Sequence, residues 1–182
     1  VSGAEVDSVS TSCADGTPAT MRGGEFDFRF VAAGTDNAMP AFERVYVSFY
    51  DVDGDSHYGQ GVRESVSVLG ATSRLMAASS TLEGGVFYPS EALYVIATSN
   101  DNVPTDFRAD PATPSEASLP AIVSFEVSSS SSFKVLLGGR SSEARDSNRG
   151  YCFALVRPAG IDCPEHISPL PVAISQPLAA AK

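Results

Sequence analysis

The chain has 182 residues, with 12 Lys plus Arg against 22 Asp plus Glu, for a formal net charge of −10. That length fits one large domain, or one domain with tails, and 43% hydrophobic with 19% charged residues argues against wholesale disorder. The acidic balance and the scatter of the arginines speak against a phosphate-binding face, and no apolar run approaches the ~20 residues of a membrane-spanning helix.

Residues 1–22 are rich in Ser, Ala and Thr and poor in large apolar side chains, which predicts an extended N-terminal arm. Its start, VSGAEVDSVS, has neither the basic residues nor the apolar stretch of a secretory signal. From Phe26 the pattern takes on period two. Phe26, Phe28 and Phe30 alternate with Asp27 and Arg29, as in a strand with one buried face. Glu25 and Asp27 read as its solvated side. After the turn cluster GTDNAMP, Val45, Val47 and Phe49 alternate with Tyr46, Ser48 and Tyr50. Val62, Val66 and Val68 mark another strand, ended by Gly70, and residues 71–83 read as strand or loop because no helix cap meets a helical period. A short apolar piece, Val86–Tyr88, stops at Pro89, and Leu93, Val95 and Ala97 follow as a strand. Residues 99–119 form a Pro-rich loop of a length that is usually functional or mobile.

Val123, Phe125 and Val127 alternate again, and SSSSS at 128–132 predicts a turn into the strand of Phe133, Val135 and Leu137. The last strand spans Tyr151–Val156. From Pro158 onward the segment is rich in Pro and Ala, which excludes a central strand or a helix interior. About eight strands at roughly ten-residue spacing predict an all-β fold, an antiparallel β-sandwich or jelly roll. The domain is expected over 23–157, between arms at 1–22 and 158–182.

Chemistry concentrates in DVDGD. Asp51, Asp53 and Asp55 place three carboxylates within five residues, a density that suits a hard, oxygen-seeking cation such as calcium. The run is not an EF-hand: Ser56 stands where the sharp-turn Gly belongs, Val62 where the bidentate acid belongs, and strands flank it. A sandwich-type calcium site would be completed by Asp101, Asn102 and Asp106, or by Asp36 and Asn37, from other loops. The competing readings are an acidic hairpin turn and an Asx turn ahead of Pro104. His57 and His166 stand apart from any nucleophile motif, and no G-x-S-x-G, H-E-x-x-H or phosphate loop occurs, so no catalytic residue is assigned. The three cysteines, Cys13, Cys152 and Cys163, are disulfide candidates, Cys163 pairing with Cys152 or Cys13; idle buried thiols are the alternative. A disulfide would indicate an oxidising compartment.

The succession FYDVDGD, RESVSV, SNDNVPTDFRADP, AIVSFEV, SSSSFKVLLGG and NRGYCFALV resembles a secreted β-sandwich domain of algae, stramenopiles and some bacteria. That family carries F-x-D-x-D, D-N-P-x-D, S-x-F and R-N-x-x-F motifs. Its F-x-D-x-D falls on Phe49, Asp51 and Asp53, and its D-N-P-x-D on Asp101, Asn102, Pro104 and Asp106 with Val103 inserted. The closing motif falls on Asn148, Arg149 and Phe153 in altered order. The resemblance implies an exported or cell-surface module without known catalysis.

The expected function is therefore a non-enzymatic structural or interaction module, calcium-stabilised, that docks other protein chains through both terminal arms. The setting would be an extracellular fibre, a cell-surface coat, or a lumenal complex such as an algal photosystem. Two alternatives stand beside it: a calcium-dependent carbohydrate-binding module using Tyr50, Tyr58 and Tyr88, and a polysaccharide hydrolase.

Overall fold

A computed structural model describes residues 2–12, 18–55, 62–87, 92–99, 102–103, 110–140, 151–161 and 163–164. In chain order its strands are β1 (Ser2–Ser12), β2 (Pro18–Arg29), β3 (Phe42–Tyr50), β4 (Gly54–Asp55), β5 (Val62–Leu69) and β6 (Ala71–Met76). They continue with β7 (Leu82–Phe87), β8 (Ala92–Ala97), β9 (Val123–Ser130), β10 (Ser132–Arg140), β11 (Cys152–Ala154) and β12 (Cys163–Pro164). One sheet has the order β1-β2-β10-β5-β8-β7, with β4 beside β5, and the other β11-β3-β9-β6-β12. All the strand pairs are antiparallel. The protein is an all-β sandwich.

Alternation builds its core. Val66 and Val68 of β5, Val95 of β8 and Val135 of β10 face inward from one sheet; Val47 and Phe49 of β3, with Val123 and Phe125 of β9, face them from the other. Each such side chain contributes about 1.5–3 kcal/mol through removal from water. A chain of aromatic contacts runs from Phe42 through Phe30, Phe133, Phe28, Phe153 and Phe49 to Phe125, with ring centroids 4.8–6.1 Å apart. Glu25 and Asp27 do lie on the wet side, both held by Lys134 at 2.7 and 3.3 Å. The exposure of these three groups makes the pairs worth little.

Two connections consist of a single residue. Gly70 joins β5 to β6 and Ser131 joins β9 to β10, yet neither pair is hydrogen-bonded together, because each changes sheet. The turn expected at 128–132 is thus an arch between layers rather than a hairpin. Gly70 takes φ +85, the left-handed region that glycine enters freely.

Arg74 breaks the apolar pattern. It lies on β6, is 3% exposed, and reaches across to the opposite sheet. There its Nη1 donates to the Gly85 carbonyl at 3.2 Å and the Tyr94 carbonyl at 2.8 Å.

A second apolar cluster lies outside the five-stranded sheet. Tyr50, Leu75, Ile122 and Ile161 pack together, with Tyr46, Leu119 and Ala154 around them. Residues 155–161 make this possible by crossing the sheet's outer face from the β11 edge to the β12 edge. The Val156 carbonyl accepts the Ser48 hydroxyl, Arg157 lies 5.7 Å over the Tyr46 ring, and the Ala159 N–H donates to Ala112 at 2.8 Å. Pro158 and Ile161 are fully buried.

The expected boundaries shift accordingly. The segment 1–22 is extended, but it is part of the sheet: Ser2–Ser12 pairs with β2 from Pro18 to Asp27. Backbone pairing, which needs no apolar side chains, incorporates it. At the other end the body continues past 157, through buried Ile161, to Cys163 opposite Met76. Residues 165–182 lie outside the described residues.

Tyr50 carries a testable consequence of this outer cluster. Its hydroxyl donates to the Pro111 carbonyl at 2.8 Å, and burial pushes its pKa up to about 12. An unfolded tyrosine ionises near ~10. The folded state therefore favours the neutral phenol, and this contribution is full below pH ~10 and lost as pH rises through about 12. Urea unfolding across that range should show a fall in stability that Tyr50→Phe makes shallower; equal slopes for the two proteins would refute the assignment.

Candidate functional site

The acidic loop forms where β3 leaves its sheet. Asp51 takes φ 65, a left-handed conformation that Asp tolerates better than most side chains. The reversal sends Val52 into the core, where its N–H donates to the Ala121 carbonyl at 3.0 Å, and brings Asp53 against β5. Asp53 is 4% exposed and Glu64 3% exposed. Their backbones are joined by Glu64 N–H to Asp53 O at 2.9 Å, and Glu64 Oε2 accepts the Asp53 N–H at 3.4 Å. Asp53 Oδ2 accepts the Val103 N–H at 2.6 Å.

Asp53 thus fastens the loop at 102–103 onto the end of β3. Of the six proposed ligands, Asp51 and Asp53 are described with their side chains, and Asn102 is exposed beside the anchored Val103. Asp55 is described by its backbone in β4, paired with Val62; Asp101 and Asp106 lie outside the described residues, as does His57. Among the described residues no three His, Cys, Asp or Glu side chains gather where they could hold a metal ion. The chemistry that is visible is a carboxylate holding a loop amide. Replacing Asp53 with Ala should cost about 1.5–3 kcal/mol, the range for a hydrogen bond to a charged group. Hydrogen exchange at the Val103 amide should quicken with it. Unchanged exchange there would show that Asp53 does not hold the loop. Nothing local in the sequence links Glu64 to this contact; its 11-residue separation from Asp53 is bridged by the β4–β5 pairing.

The cysteines separate. Cys152 pairs with Tyr50 at the β11 edge, and Cys163 pairs with Met76 at the β12 edge of the same sheet. Three strands lie between them. Four spacings of ~4.8 Å place them ~19 Å apart, whereas a disulfide needs Cα atoms within about 7 Å. Of the two candidate partners for Cys163, Cys152 is therefore out of reach within one chain, and Cys13 lies outside the described residues. Cys152 is exposed and free, with its thiol pKa raised by partial burial and by the Asp51 carboxylate. Both effects disfavour the nucleophilic thiolate.

The aromatic platform expected of a sugar-binding surface is also altered. Tyr50 is 8% exposed with its hydroxyl engaged, so its ring is closed to a ligand. Tyr58 and Tyr88 lie outside the described residues.

A different feature is open. β11 has three residues and pairs only with Ser48, Phe49 and Tyr50 of the nine-residue β3. The flank of β3 from Phe42 to Val47 has no strand partner on that side among the described residues. At this edge Phe153 is 45% exposed and Leu155 is 53% exposed. Phe153 contacts Phe28 of β2 at 5.2 Å, so β11 lies over β2, and β1 projects beyond it. The main path of one sheet thus has six strands and the other sheet five. Among the described residues, the position beside β11 and opposite β1 holds no strand.

Comparison with protein-family models, with curated proteins and with solved structures finds no match to this chain.

Proposed function

We propose that this protein is a non-enzymatic structural module that assembles with other protein chains, in an exported fibre or surface coat. The observation that carries the reading is the edge at β11, where Phe153 and Leu155 stand 45% and 53% exposed beside a strand flank that has no partner among the described residues. Large apolar side chains next to unpaired backbone N–H and C=O groups form a ready template for another chain. The rest of the sandwich suits a rigid carrier: a packed interlayer core, a second cluster outside one sheet, and a guanidinium linking the layers.

Sedimentation velocity of the purified full chain tests it. Assembly predicts a sedimentation coefficient that rises with concentration through the micromolar range. A single monomeric boundary at every concentration would overturn self-assembly, and release of reducing sugar from a polysaccharide panel would replace the reading with an enzymatic one.

A further inference from the structure

The alternation that fills the core also fixes what lies on its back. On β3, Val45 and Val47 turn inward, so Arg44 and Tyr46 face outward from the five-stranded sheet. On β9, Phe125 and Val127 turn inward, which leaves Glu126 and Ser128 facing outward. Strand register sets Tyr46 opposite Glu126 and Glu126 opposite Ser73, a single row across β3, β9 and β6. Arg44 stands opposite Ser128 in the adjoining row. The crossing segment 155–161 covers this face from the next row onward, where the Val156 carbonyl accepts the Ser48 hydroxyl. From that segment Arg157 extends over the Tyr46 ring, 5.7 Å from its centroid. The result is a polar shelf backed by the crossing segment.

Glu126 is its hub. Oε1 accepts Arg44 Nε at 3.0 Å and the Ser128 hydroxyl at 3.3 Å; Oε2 accepts the Tyr46 hydroxyl at 3.4 Å and the Ser73 hydroxyl at 3.3 Å. A strong bond from a hydroxyl to a carboxylate is about 2.5–2.7 Å long. All three hydroxyls stand back from that distance, so the carboxylate keeps acceptor capacity and each hydroxyl is free to turn to a better partner. The shelf is also accessible. The Arg44 side chain is 60% exposed, that of Glu126 19%, and Arg157 is exposed.

We infer that this shelf binds a neutral, polyhydroxylated ligand: a carbohydrate chain. Charge selects the class. An anion here would meet the Glu126 carboxylate, and a cation would meet Arg44 and Arg157. A protein partner would want a large apolar anchor at the centre of its contact. The shelf offers only the Tyr46 ring, already capped on one face by Arg157. A sugar hydroxyl donates and accepts at once, so it can give to Glu126 while taking from Arg44 or a neighbouring hydroxyl. The row across three hydrogen-bonded strands holds these groups in place before any ligand arrives, which lowers the cost of binding. The inference goes beyond the assembly reading and does not depend on it. It also differs from the calcium-dependent carbohydrate site expected on the loops, because it uses no metal.

Affinity electrophoresis of the full chain tests it, in native gels containing a β-glucan, mannan, xylan or galactan, with dextran sulfate as the anionic comparator. At least one neutral polysaccharide should retard the protein, and EDTA should not change the retardation. Glu126→Gln should weaken that binding about tenfold, and Tyr46→Phe, which keeps the ring and removes the hydroxyl, about fivefold. Lys134→Ala, on the outer face of the other sheet, should bind as the wild type does. Near-UV circular dichroism and thermal melts establish that each variant is folded, and Ser128→Ala replaces Glu126→Gln if that chain is not. Migration unaffected by every neutral polysaccharide would overturn the inference. Retardation by dextran sulfate alone would also overturn it, in favour of an anion site. So would binding that EDTA abolishes, or that folded Glu126→Gln and Tyr46→Phe both retain in full. Sedimentation of the same samples reads assembly separately, so failure of one reading is distinguishable from failure of the other.

Discussion

Gly84→Ala should destabilise the protein by about 3 kcal/mol, although it adds one methyl group to a strand. A Cβ at Gly84 would lie 1.9 Å from Arg74 Cζ, 2.0 Å from Nη1 and 2.4 Å from Nε. A flexible side chain would ordinarily move aside, but this guanidinium is 3% exposed and donates to Gly85 and Tyr94. Displacing it gives up bonds from a charged donor, each worth roughly 1.5–3 kcal/mol. Urea denaturation of the two proteins measures the difference. The cause can be separated from strand propensity, where Gly to Ala is mildly favourable. In an Arg74→Met background the methionine can bend away, so the same Gly84→Ala change should cost less than about 1 kcal/mol. Equal costs in both backgrounds would show that Arg74 is not what requires the glycine.

Ile161→Ala is the second large effect, with an expected loss of about 2–5 kcal/mol, the range for truncating a buried aliphatic side chain. Ile161 is fully buried against Tyr50, Leu75 and Ile122, on the outer face of the five-stranded sheet. It is the last buried anchor before β12, so its loss should also raise hydrogen exchange at Met76, which pairs with Cys163. An Ile161→Val change, which removes one methylene, should cost only about 0.5–1.5 kcal/mol. If Ile161→Ala melted with the wild type, the residues from 155 to 161 would not be packed as described.

These two sites mark where the sequence was hard to read. The interlayer core was legible because alternation is a local signal: Phe28 and Phe30, Val45, Val47 and Phe49, and Val123, Phe125 and Val127 each announce an inner face within a few residues. The outer cluster has no such signal. Ile122 follows a Pro-containing turn and Ile161 sits between Gly160 and Asp162, so both look like loop residues until the sheet beneath them exists. Arg74 carries no local sign of burial either, since its partners are carbonyls 11 and 20 residues further on. β1 escaped because backbone pairing incorporates it, and Ser128–Ser132 could not distinguish arch from hairpin because that depends on what each strand finds as a neighbour. In the acidic loop, the run of carboxylates was visible, while the role of Asp53 in holding Val103 was a matter of burial.

The one-residue arches at Gly70 and Ser131 also govern how quickly this chain can reach its native state. Because they send successive strands into different layers, β3 must wait for β9, with Phe42 meeting Ser130, and β2 must wait for β10, with Arg29 meeting Ser132. Such distant closures lose chain entropy before contacts compensate, which places refolding in the millisecond-to-second range of high-contact-order domains. During synthesis, the aromatic strands near the start would emerge long before their mates. The nascent chain would then expose Phe26 to Phe49 to chaperones or to aggregation for several seconds, at translation rates of roughly 5–20 residues per second.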